Sequence, residues 1–337
     1  MRLKFALPVD CVAWCVSAET CEQRYGVVSL HNPPMHTSPS SARGVLLVLF
    51  AAMLWGTTGT AQALAPSGLS SWWVAALRVG IACGFFVLLA VRAPMAHGRW
   101  PWGRLVLAGG CIAAYNLSFF AGVRASGVAL GTAIAVGSAP IWAGLIQTVV
   151  QRRLPPLLWW LGTLVSVAGG AVMVLGQGAD LHLAPAGVAL CLTAGFTYAS
   201  YTLINKVLVL RVGAAWTNLA VFATASLVAV PVAWGLSGPL PMGEGSWGVV
   251  LFLGLVSTGV AYLLFSNGLR FIAGATGVTL ALAEPVTAFV LAVLVVGERQ
   301  QALAWLGLVA VIAGLLVVIR SEMRALPVRA PQVVRGG

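Results

Sequence analysis

Charge is what this sequence has least of. Only 8% of its 337 residues are Asp, Glu, Lys or Arg, whereas a soluble domain carries roughly a quarter to keep its surface in water. Acidic residues are the scarcest, 8 Asp and Glu against 19 Lys and Arg. Glycine-rich nucleotide loops of the Walker type are missing, and the polar connections are too short to house an ATPase domain. The four histidines, His31, His36, His97 and His182, are scattered and form no metal-ligand spacing. Cysteine is sparse too. Cys11, Cys15 and Cys21 match no zinc pattern, and Cys83, Cys111 and Cys191 stand singly in apolar stretches, where small hydrophobes pack well. These absences argue against a disulfide scaffold, a metal site, a bound cofactor and an ATP-driven pump. No catalytic residue is assigned.

What the sequence does contain is hydrophobic: 60% of residues, with 39 glycines, a residue enriched in membrane helices. Apolar segments occupy 44–64, 69–91, 105–123, 127–150, 157–176, 184–205, 213–234, 247–268, 272–296 and 302–319. Each is close to the 20 or so residues that cross a hydrocarbon core about 30 Å thick. Helices are expected because an unpaired backbone amide is costly in lipid, and these uninterrupted runs do not alternate as barrel strands do. The reading is an all-α integral membrane protein of ten transmembrane helices. Its least marked division is between the third and fourth spans, where only Arg124 and Ser126-Gly127 signal a turn.

The net charge of +11 does not point to nucleic acid, which needs Lys and Arg collected on one surface. The basic residues come in ones and twos at span ends, a topology signal. A cytoplasmic N-terminus gives that side Arg43, Arg92, Arg99, Arg104, Arg152, Arg153, Lys206, Arg211, Arg299, Arg320, Arg324, Arg329 and Arg335, thirteen in all. It leaves Arg124 and Arg270 opposite. Both termini are therefore expected in the cytoplasm of a cell membrane of the bacterial inner-membrane type, with the basic ends near lipid headgroups. Residues 1–43 read as a polar leader, in which Met35 competes with Met1 as the start, and 320–337 as a basic tail.

The two halves resemble each other. Gly122-Val123-Arg124 matches Gly268-Leu269-Arg270, Pro140 matches Pro285, and Gly162 and Gly169 match Gly307 and Gly314, at separations of 145 or 146 residues. Five spans per half force opposite orientations, so the repeats 44–176 and 184–319 are inverted. Inverted repeats suit alternating access around a site at their interface. The glycine stretches could pack within the monomer or between two copies, and the oligomeric state stays open.

At this point the sequence resembles the EamA family of the drug/metabolite transporter superfamily. The resemblance rests on Trp55-Gly56, Ala76-Leu77-Arg78, Ala139-Pro140-Ile141-Trp142, Ala283-Glu284-Pro285-Val286, Val296-Gly297-Glu298-Arg299, Trp305-Leu306-Gly307 and Ala313-Gly314, in order, over residues 44–319. It implies ten helices, cytoplasmic termini, a central pocket shared by the halves, and export or exchange of amino acids, other small metabolites or drugs. One departure stands out: the first half carries Gln151-Arg152-Arg153 where the second has Glu298-Arg299. A membrane-embedded transferase and a non-transporting scaffold are the alternatives; the transferase lacks a polar catalytic cluster in the short, nearly charge-free outer loops.

Residues that could carry transport interrupt the apolar spans. Arg78 lies mid-span, and so does Glu284, directly before Pro285; an ionisable group there should face protein, water or a partner. Arg78 is open to a structural network, an anionic substrate group or snorkelling. Glu284 is open to carrying a coupling proton, to pairing with Arg78 or to satisfying freed backbone groups. Pro140 and Pro285 are each expected to break one helical turn and expose carbonyls. Trp55, Asn116, Tyr198 and Tyr262 are the preferred candidates to form a slot for a small polar or amphipathic solute, among a wider set that includes Gln62, Tyr115, Phe119, Tyr201, Asn205, Asn218 and Asn267. Trp72, Trp73, Trp100, Trp102, Trp159, Trp160 and Trp247 are expected in the interfacial aromatic belts.

Overall fold

The computed structural model describes residues 39–63, 70–94, 100–152, 154–176, 184–240 and 247–324; the leader up to residue 38, with its competing starts, and the tail after Arg324 lie outside them. The helices are α1 (Pro39–Ala63), α2 (Ser71–Arg92), α3 (Trp102–Ser126), α4 (Val128–Gln151) and α5 (Leu157–Leu175) in the first half. The second half contains α6 (Pro185–Val212), α7 (Ala214–Ser237), α8 (Trp247–Gly268), α9 (Gly274–Val296) and α10 (Ala302–Arg324). Among the described residues, ten helices are long and apolar enough to cross a membrane. Their large apolar side chains point outward, as with Leu227 at 76% and Leu294 at 77% exposure. Ser166, Thr202, Asn205, Asn218 and Ser266 are buried, so lipid, not water, is the solvent this surface fits.

Packing is symmetric between the halves. Helix α5 packs on α10 and α2 on α7, each against its own counterpart. The contact of α3 with α6 is matched by α8 with α1, that of α4 with α6 by α9 with α1, and that of α3 with α7 by α8 with α2. This is the arrangement an inverted repeat produces. Glycines permit the closest approaches. Gly44 of α1 meets the backbone of Gly268 on α8, and Gly187 of α6 meets Gly122 of α3 in the same way. Because Gly122 and Gly268 are repeat partners, this fixes the register of α1 on α6 as Gly44 on Gly187, a shift of 143 residues. Trp55 is then the counterpart of Tyr198. Gly162 and Gly169 of α5 interlock with Gly314 and Gly307 of α10, so both glycine stretches are used inside one chain.

Three expectations are resolved by local geometry. The third and fourth spans are separate, joined by Gly127 alone at φ +85°, a backbone conformation open to glycine. The prolines behave differently from each other: α4 stays helical through Pro140, while α9 is interrupted at Ala281-Leu282, just before Pro285. There the amide of Glu284 reaches the Ala281 carbonyl at 2.9 Å, taking up the acceptor that proline's missing N–H leaves free. Two tryptophans are inside the protein and not in a lipid belt: Trp73 is 4% and Trp159 3% exposed. Trp73 Nε1 donates to the Gly238 carbonyl at 3.1 Å, tying α2 to the end of α7. Trp73→Phe is expected to lower stability by about 0.5–1.5 kcal/mol, the net value of one hydrogen bond, in a thermal-unfolding measurement in detergent.

The sidedness of two arginines needs correction. Arg43, at the start of α1, lies over the Phe271 ring at 5.4 Å, so the α8–α9 turn shares the side of the N-terminal end. Arg270 therefore belongs with the termini and Arg299 opposite. The reason is parity: every span reverses the chain, so the connection after an even-numbered span returns to the starting side. The balance of thirteen to two survives the exchange.

Candidate substrate pathway

Helices from both halves enclose a cavity of about 440 Å³ near the middle of the spans. Trp55 and Gly56 of α1, Arg78 of α2, Asn116 of α3, Tyr198 of α6, Tyr262 of α8 and Glu284 of α9 all line it. Pro285 lines an adjoining space, and Pro140 is buried in α4 away from both. Gly56 allows the convergence, because a Cβ there would lie 2.6 Å from the Glu284 carbonyl oxygen. Glu284 is thus held by close contact between α1 and the broken part of α9.

The cavity has one aromatic wall and two ionisable side chains. Trp55 contacts Tyr262 at a centroid distance of 5.0 Å and Tyr198 at 6.4 Å, and Tyr115 lies 5.4 Å from Tyr198. Phe222 stands edge-on to Tyr262 at 4.9 Å. Arg78 and Glu284 are the only charged residues lining the cavity among the described residues. Arg78 does not snorkel to lipid; its Nε donates to Thr258 Oγ1 at 3.0 Å. Thr258 Oγ1 in turn donates to the Leu253 carbonyl at 2.7 Å, within a π-helical turn, Leu255–Val260, that widens α8. Such turns recur at functional sites. Asn116 is engaged with its own helix, donating to the Ile112 carbonyl at 2.8 Å. By contrast, Trp55 Nε1 and the Tyr198 hydroxyl are buried without a hydrogen-bond partner, although buried polar groups are normally paired.

The adjoining space, about 360 Å³, shares Gly59, Thr132, Val136, Glu284 and Ala288 with the cavity, so the two join. It runs past Thr60, Val174 and Val296 to exposed Glu298, the helix ends opposite the termini. Towards the termini the route is closed by Val48, Tyr201, Phe265, Leu269 and Ile272, none more than 1% exposed. Thr58, Thr132 and Thr258 are lining residues that the sequence did not single out. A threonine in an apolar helix usually bonds its own turn, so residue type alone carries no signal; the consecutive Ser257-Thr258-Gly259 in α8 was the available hint.

Ten spans, two counterpart halves and a shared cavity define a multi-pass membrane protein built around a central pathway. The chain belongs to the EamA-like transporter family, whose model matches residues 42–175 and again 185–320. It is similar to "Uncharacterized transporter YwfM" of Bacillus subtilis (strain 168), 38% identical over 275 residues, covering 81% of this chain and 92% of the relative. "Uncharacterized transporter YxxF" of the same organism is 32% identical over 85 residues, 25% of this chain and 27% of that one. A solved crystal structure covers 84% of this chain and 98% of its own with a TM-score of 0.72 at 21% identity, a likeness of fold alone. The protein is a membrane transporter of small molecules.

Proposed function

We propose that this transporter is a secondary carrier that exports amino acids or other small amphipathic metabolites or drugs by alternating access, coupled to protons through Glu284. The observation that carries the reading is a cavity between the two halves that presents Arg78 and Glu284 beside an aromatic wall and is open on one side only. In this reading Arg78 receives an anionic group of the solute. Trp55, Tyr198 and Tyr262 cover its apolar part, the unpartnered Trp55 Nε1 and Tyr198 hydroxyl add polar contacts, and Asn116 shapes the wall. Pro285 keeps α9 broken so that Glu284 meets the pathway, while Pro140 shapes the packing of α4. We place both termini in the cytoplasm of a bacterial inner membrane on the basic-residue balance. Residues 44–176 and 184–319 are then the moving repeats, with 1–43 and 320–337 as a leader and a tail.

The experiment is flux in proteoliposomes across an amino-acid and metabolite panel, with a pH-sensitive dye inside. Glu284→Gln is expected to abolish solute-driven proton movement while leaving solute exchange measurable. Undiminished proton flux with the same solute would rule out coupling through Glu284. No movement of any solute, with folded protein, would favour a scaffold.

A further inference from the structure

A second polar cluster lies between the cavity and the closed side. Asn205, Asn218, Ser266 and Tyr201 are all 0% exposed. Asn205 Nδ2 donates to Ser266 Oγ at 3.1 Å, Ser266 Oγ to Asn218 Oδ1 at 2.8 Å, and Asn218 Nδ2 to the Tyr262 carbonyl at 3.3 Å. Asn205 Oδ1 finds no partner. Helix contacts alone do not need an orphaned amide oxygen in a lipid-surrounded span, where an unmet acceptor has no bulk water to turn to. The cluster is connected to the cavity through Tyr262, whose ring lines it. Along α6, Tyr201 and Asn205 follow cavity-lining Tyr198 by one and two turns towards the termini; along α8, Ser266 follows Tyr262 by one turn.

The repeat says what these positions do in the other half. In the register set by Gly44 and Gly187, Tyr201 is the counterpart of Thr58; in that set by Gly122 and Gly268, Ser266 is the counterpart of Phe120. Thr58 and Phe120 both line the open cavity. Inverted halves that exchange conformations must also exchange which of these counterparts line the open side.

The closed side is fastened by groups from three helices. Glu322 of α10 accepts from the Ala273 amide at 2.9 Å and the Thr276 hydroxyl at 2.5 Å. Gln147 of α4 accepts from the Ala275 amide at 3.2 Å, and Lys206 of α6 donates to the Ile272 carbonyl. All four bonds hold the turn before α9 and its first residues.

We propose that Tyr201, Asn205, Asn218 and Ser266 form the collapsed, termini-side half of the solute pathway, which takes the polar groups of the same amphipathic solute once the Glu322 latch on the α8–α9 turn releases. The inference rests on the alternating-access reading and adds the residues of the second face. Its test is thiol accessibility in a cysteine-free background, using an impermeant charged thiosulfonate on vesicles whose sidedness is set by protease access to the tail. Ser266→Cys and Asn205→Cys are expected to label from the termini side and not from the opposite side, with Thr58→Cys showing the reverse. Adding Glu322→Ala is expected to speed labelling of Ser266→Cys roughly tenfold or more, the shift that losing one charged hydrogen bond gives. Protein that moves solute but leaves both Ser266→Cys and Asn205→Cys unlabelled from the termini side would overturn the proposal. Labelling is read without solute, so a protein that labels on both faces yet moves none of the panel would contradict the proposed cargo and coupling, and leave the alternating exposure of these residues standing.

Discussion

Gly169→Ala is expected to destabilise the folded protein, while Gly170→Ala, one residue on, is expected to be neutral or slightly stabilising. A Cβ at Gly169 would lie 2.7 Å from the Val311 amide nitrogen and 2.8 Å from the Gly307 carbonyl oxygen. Both are backbone atoms of α10, which cannot rotate away, so α5 and α10 must separate along their length. Overpacking of this kind costs about 1–3 kcal/mol. It outweighs the helix propensity that alanine gains over glycine, about 1 kcal/mol at most. At Gly170 nothing lies within 4 Å of the added carbon, and only the propensity gain remains. Thermal unfolding in detergent separates the two. Equal stability of the pair would mean that the α5–α10 seam is looser than its glycines imply.

The second large effect is expected at Arg78. Arg78→Ala should raise the solute concentration for half-maximal flux by roughly 10- to 150-fold, the equivalent of a charged hydrogen bond worth about 1.5–3 kcal/mol. Arg78 is the only basic residue lining the cavity among the described residues, so no neighbour can replace its charge. Arg78→Lys keeps the charge but loses the planar donor that reaches Thr258 and should recover part of the affinity. Thr258→Val, which removes that partner without removing the charge, is expected to have the smaller effect. A purely structural Arg78 would give the opposite pattern: lower melting temperature for Arg78→Ala, with unchanged half-saturation in the protein that remains folded.

The candidate site was legible where a residue's chemistry is at odds with its surroundings. Arg78 and Glu284 stand out in apolar spans, and Trp55, Asn116, Tyr198 and Tyr262 interrupt them; the fold brings all six to one cavity. Pro140 carried the same signal as Pro285 but is buried away from the cavity, because a proline reports a local backbone constraint and not a direction. Thr258 and Glu322 were invisible for the converse reason. Threonine is unremarkable in a membrane helix, and a glutamate two residues from both Arg320 and Arg324, inside the stretch that reads as a basic tail, looks like surface charge until Ala273 and Thr276 are seen to bond it.

Membrane residence, the number of spans and the duplication were determined by the sequence itself, since each depends on hydropathy and spacing along a single stretch of chain. The side on which Arg270 lies also follows from the sequence, once the crossings are counted. Tertiary structure alone decided which glycines meet, that Trp73 and Trp159 pack inward, that α9 breaks where α4 does not, and that the pathway is open on one side. Apart from the local break in α9, those facts depend on helices distant in the chain, 65 residues for Gly122 and Gly187 and 152 for Gly162 and Gly314, coming within van der Waals contact. A glycine permits such an approach without naming its partner, and an inverted repeat encodes two faces while a single conformation opens only one.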